Sequence, residues 1–135
     1  MQARVGVEMN VQAHTIAVID DDPRVLESLV NFLASCGYMA ESYLSAEQFL
    51  GSGALSRCMC IIADVEMRAM TGLGLLQHIR SSNCAVPVVI ITGKPSEHAE
   101  AFYRERGATG FFRKPVDGDA LVDLIGSVCN RSNPD

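Results

Sequence analysis

Five short apolar runs recur along the chain, and each is followed by a segment whose apolar residues keep helical spacing. The runs are Ile16-Ala17-Val18-Ile19, Met39 to Tyr43, Cys60-Ile61-Ile62-Ala63, Val88-Val89-Ile90-Ile91 and Gly110-Phe111-Phe112. Three are almost unbroken, which is how a parallel strand reads when helices cover both its faces. The second alternates and suits a sheet edge. Strands alternating with helices require right-handed parallel crossovers, so this order predicts a doubly wound α/β fold, a five-stranded parallel sheet with five helices.

Local signals bound the helices. Asp22-Pro23 is an N-cap followed by a first-turn proline. Val25, Leu26, Leu29, Leu33 and Cys36 then keep one face, and Gly37 is a C′ stop. Ser45-Ala46-Glu47-Gln48 has the form of a capping box and opens a short second helix. Leu73, Leu76 and Ile79 share a face over 72–80. A fourth helix runs from Ser96 to Arg106 and closes at Gly107. A fifth spans Asp119 to Cys129, with Leu121, Leu124, Ile125 and Val128 inward. Residues 1–14 carry no sustained period and read as a flexible extension, 15–129 as one domain, and 130–135 as a frayed tail.

Hydrophobic residues at 48% and charged residues at 20% exclude a disordered chain. Lys and Arg number 11 against 16 Asp and Glu, a net charge of −5, which argues against direct nucleic-acid binding. No apolar run approaches the ~20 residues of a membrane helix. Met1 to His14 holds no signal-peptide core, so a cytoplasmic location is expected. Cys36, Cys58, Cys60, Cys84 and Cys129 complete no zinc pattern and read as reduced thiols in or near the core. Cys58 and Cys60 are expected on one face of a strand.

In an open parallel sheet, ligands bind at the carboxyl ends of the strands. After the first strand stand Asp20, Asp21 and Asp22; after the third, Asp64; after the fourth, Thr92-Gly93; after the fifth, Lys114-Pro115. Each alone has a bland explanation as a cap or turn former, and Asp22 reads as a cap only. Together they bring carboxylates, a hydroxyl and an amine to one rim. Crowded carboxylates stay ionised when a cation holds them, and Mg²⁺ prefers hard oxygen ligands. An Asp beside that metal is a nucleophile, while a hydroxyl and an amine suit phosphoryl oxygens.

These residues lie in V-I-D-D-D-P at 18–23, I-I-A-D-V-E-M at 61–67, T-G at 71–72, I-T-G at 91–93 and G-A-T-G-F-F-R-K-P at 107–115. From Thr15 to about Cys129 the chain resembles a response-regulator receiver domain of two-component signalling. The resemblance implies a flavodoxin-like sheet of order 2-1-3-4-5 and a phosphoacceptor, Asp64, served by a sensor histidine kinase. It implies Mg²⁺ held by Asp21, Asp64 and the main-chain carbonyl of Glu66, with Asp20 acting mainly through water. Thr92 and Lys114 would sense the phosphate, Phe111 would be the aromatic switch residue, and the Lys114-Pro115 bond would be cis. Such a domain is a signalling module rather than an enzyme with its own substrate.

Arg68 and Ala69 stand where the family usually has Pro and often Gly, which frees the loop backbone. Phe111 has no hydroxyl, so a switch there works by packing. The fourth helix, fifth strand and fifth helix form the expected output face, with Arg104, Arg113, Asp117 and Asp123 suited to a homodimer or an output partner. Glu66 and Lys94 are expected to pair across the water path to the phosphoryl group. Two rivals remain: a degenerate receiver used only for docking, and an Asp-nucleophile phosphohydrolase. The second rival needs an Asp where Glu66 stands. A stand-alone receiver and the front piece of a longer regulator, for example of transcription, are both open.

Overall fold

Every residue of β1 (Thr15–Ile19) is buried in this computed structural model, which describes residues 15–94 and 98–130, with Asn130 as backbone only. The expected extension at 1–14, the residues 131–135 and the proposed helix start at Ser96 lie outside the described residues. β1 is followed by α1 (Pro23–Ser35), edge strand β2 (Met39–Tyr43), α2 (Ala46–Gly51) and a 3-10 turn at Ala54–Ser56. Then come β3 (Cys58–Asp64), α3 (Gly72–Ser81), β4 (Val88–Thr92), α4 (Ala99–Glu105), β5 (Gly110–Arg113) and α5 (Gly118–Asn130). Asn130 therefore ends a helix rather than starting a tail.

The five strands are parallel in the order β2-β1-β3-β4-β5, as expected. Two apolar layers sandwich the sheet. Leu26, Leu29 and Leu33 of α1 and Leu121 and Ile125 of α5 cover one face. Ala46 and Phe49 of α2 and Leu75, Leu76 and Ile79 of α3 cover the other. The unbroken strands thus have both faces dry, which is why they show no alternation.

The caps form where their chemistry predicts. Asp22 accepts from the Arg24 N–H at 2.9 Å at the start of α1. Ser45 Oγ accepts from Gln48 N at 3.0 Å, and the Gln48 amide reaches back to Leu44 N, one residue before the cap. Gly107 adopts φ +106°, and a Cβ there would lie 2.9 Å from Arg80 Nε. Arg80 crosses beneath that turn to donate to Gly107 O and Cys84 O.

Four expectations are corrected. On α3 the buried stripe is Gly72, Leu75, Leu76 and Ile79, and Leu73 is only partly covered. That spacing aims Gly72, not Leu73, at the sheet. Helix α4 begins at Ala99 after a His98 cap and is shorter than expected. Cys36 is the exposed C-cap of α1 rather than a core thiol. Cys58 and Cys60 do not share a face. The register passes from Thr15↔Cys58 to Ile16↔Cys60, a bulge at Met59. Cys58 consequently packs on the α2–α3 side, while Met59 and Cys60 turn toward α1 and α5.

Candidate functional site

The parallel register levels the strand ends, with Asp64 opposite Ile91 and Thr92 opposite Arg113. At this rim the carboxylates of Asp20, Asp21 and Asp64 offer oxygens within 4.8 Å of one another. Asp20 is fully buried; its Oδ1 accepts from Asp22 N at 2.9 Å and its Oδ2 from Lys114 Nζ at 3.0 Å. Asp21 is exposed, at the mouth of the cluster. Asp22 faces away as a cap, and its carboxyl is held below the usual range by the Arg24 N–H.

Asp64 is 3% exposed, with Oδ2 3.5 Å from Lys114 Nζ. Its Oδ1 is buried with no hydrogen-bond partner among the described residues. Burial, then the neighbouring Asp20 charge, pushes the Asp64 carboxyl above its ordinary value. Burial works against the Lys114 ammonium, but its hydrogen bond to Asp20 and the charges of Asp20 and Asp64 outweigh this and raise its pKa. An orphaned oxygen among three hard donors fits a small divalent cation.

Loop approaches shape the rest. Gly72 packs so tightly on the end of β3 that a Cβ there would lie 2.5 Å from Asp64 O. Glu66 directs its carboxylate outward, with Oε2 3.7 Å from Lys94 Nζ, so the expected pair is present and exposed. The Thr92 hydroxyl is buried and engaged with its own turn, accepting from Lys94 N at 3.0 Å. Phe111 is half-buried and stacked on Tyr103, with centroids 5.9 Å apart. The Lys114-Pro115 bond is cis. On the expected output face, Arg104, Arg113, Asp117 and Asp123 are all exposed; Arg104 also bonds Glu100 and Thr109 O, and Asp117 accepts from Ala120 N.

Sequence reasoning missed Glu47. From α2 its Oε2 accepts from Met70 N at 3.0 Å, tying down the loop that carries Arg68 and Ala69. Arg68 and Glu47 line a groove of about 330 Å³ that also reaches Asp21. Twenty-three positions separate Glu47 from Met70, and no local pattern signals such a contact.

A buried acidic carboxylate ending β3, an acidic pair after β1, a hydroxyl ending β4 and a lysine after β5 define a receiver-type signalling site. The chain belongs to the response regulator receiver domain family, whose profile matches residues 16–126. It is 32% identical over 117 residues to the response regulator protein TodT of Pseudomonas putida, covering 87% of this chain and 52% of TodT. It is also 32% identical over 117 residues to the transcriptional regulatory protein FixJ of Azorhizobium caulinodans, covering 87% of this chain and 56% of FixJ. The chain thus spans about half the length of these curated relatives. Among solved structures, a response regulator receiver domain protein from Clostridium thermocellum superposes with TM-score 0.81 at 25% identity, covering 88% of this chain and 96% of that one. The Francisella response regulator 1452 receiver domain shares the fold with TM-score 0.82 at 20% identity, covering 87% and 98%. No helix among the described residues is long and apolar enough to cross a membrane.

Proposed function

We propose that Asp64 accepts a phosphoryl group from a sensor histidine kinase in a Mg²⁺-dependent reaction. The observation that carries this reading is the Asp64 carboxylate, buried beside Asp20 and Lys114 with one oxygen unpartnered. An Asp64 oxygen forms a bond to phosphorus as the bond from phosphorus to the donor imidazole breaks. The imidazole keeps the electron pair and is protonated by solvent. Asp21, Asp64 and the Glu66 main-chain carbonyl would hold the ion, with Asp20 acting mainly through water. Mg²⁺ held there would neutralise the carboxylates and the charge that develops on the phosphoryl oxygens.

Lys114, already 3.5 Å from Asp64, donates to one phosphoryl oxygen. Thr92 exchanges its bond with Lys94 N for a second phosphoryl oxygen, and Phe111 follows by repacking against Tyr103. The face of α4, β5 and α5 then engages a second copy or an output partner. FixJ is named a transcriptional regulator, and we infer the same output here, with any DNA contact made outside this acidic domain. This reading implies a cytoplasmic location. Incubation with acetyl phosphate and Mg²⁺ is expected to give one phosphoryl adduct by intact mass. The reading fails if the adduct persists in Asp64→Ala.

A further inference from the structure

The bulge at Met59 has a second effect, away from the phosphorylation site. It turns Cys60 from the face of Cys58 to the face covered by α5, where Cys129 packs against the same apolar cluster. The Cys129 Sγ reaches Met59 O at 3.6 Å, beside Cys60 in the chain. Cys60 Sγ donates to Ile61 O at 3.9 Å, so both sulfurs lie against the same stretch of β3. Cys60 is fully buried, whereas Cys129 is only partly covered.

We propose that Cys60 and Cys129 are an oxidisable dithiol, which a peroxide closes into a disulfide fixing the end of α5 to β3. Cys129 is the attacking sulfur because it is the one a small oxidant can reach. The neighbouring Cys60 thiol lowers the Cys129 pKa, while Cys129 and then burial hold Cys60 protonated. The Cys129 thiolate attacks one peroxide oxygen, the O–O bond breaks, and the departing hydroxide takes a proton to become water. The Cys60 sulfur then attacks the Cys129 sulfenic acid. The S–O bond breaks as the S–S bond forms, and the leaving hydroxide takes the Cys60 proton. Two thiols are oxidised and one peroxide is reduced to two waters. Cys58 is a poor competitor, its thiol pushed up to about 11 by burial.

The test uses the full chain carrying Cys36→Ser, which removes the one exposed thiol, treated with hydrogen peroxide and then alkylated. The expected product has lost two hydrogens by intact mass and yields a Cys60–Cys129 linked peptide that a dithiol reductant separates. Amide exchange at the end of α5 slows in the bridged form. Cys129→Ser and Cys129→Ala abolish the product, with folding checked by circular dichroism, and Cys84→Ser leaves it intact. A link between any other pair, oxygen addition at Cys129 without a link, or unchanged exchange in α5 would overturn the proposal.

Discussion

Asp64 carries a cost that the metal-free molecule cannot relieve. Its carboxyl is raised above 3.8 in the fold, so the native state keeps a proton that the unfolded chain has already released. Stability therefore falls as pH rises from 3.8 through the raised native value and stays reduced above it. Asp64→Asn removes this term. Without divalent ions the variant is expected to be more stable than the parent at neutral pH, with the difference vanishing below 3.8. Urea titrations at both ends of this window check it, and an equal difference at both would exclude Asp64 as the source. The Glu66–Lys94 pair acts differently. Lys94 is 84% exposed, so the pair adds only ~0–1 kcal/mol; if it lies over a phosphoryl group on Asp64, it acts by sterically obstructing water. Glu66→Ala and Lys94→Ala are each expected to speed loss of the phosphoryl group several-fold, with a double variant no faster than the quicker single one. Dephosphorylation rates equal to the parent would dismiss the obstruction.

The elements differ in how much of them was legible. Central strands announced themselves as unbroken Val and Ile runs, and caps such as Asp22 and Ser45 as short polar signatures. The bulge in β3 did not, because Cys58 to Ala63 is apolar throughout and a register slip leaves no trace in such a run. Leu73 and Leu75 are identical side chains, and only the close approach of Gly72 to Asp64 decides which is buried. Of the candidate site, the acidic, hydroxyl and lysine positions were readable because each ends or follows a strand. The Glu47–Met70 tie was not, because long-range loop contacts have no period. Two predictions belong at this scale. Gly72→Ala forces α3 away from β3 and is expected to cost about 1–3 kcal/mol by denaturant unfolding. Phe49→Ala empties the fully buried anchor of α2 and is expected to cost about 3–5 kcal/mol, with Tyr43 losing its edge-on ring contact.

An ion bound at the rim would stabilise the whole molecule, since the three carboxylates converge only when β1 and β3 are paired. Mg²⁺ at a hundred times its dissociation constant is expected to add about 2.7 kcal/mol to unfolding free energy. Asp21→Asn is expected to lose most of that gain; thermal unfolding with and without Mg²⁺ measures it, and an undiminished shift would remove Asp21 from the site. The strand order β2-β1-β3-β4-β5 has a separate consequence for a chain made from its amino end. Once β3 has emerged, β2, β1 and β3 can assemble, and every later strand joins on the same side. The sheet therefore grows in one direction, and its exposed border passes from β3 to β4 before ending at β5. The two final borders, β2 and β5, are short and carry Glu41 and Arg113, features that discourage pairing with another sheet. The passing borders are apolar and lack that protection. Chains halted after Ser81 are expected to aggregate where chains extending through Asn130 stay monomeric, so newly made molecules are most at risk before β4 arrives.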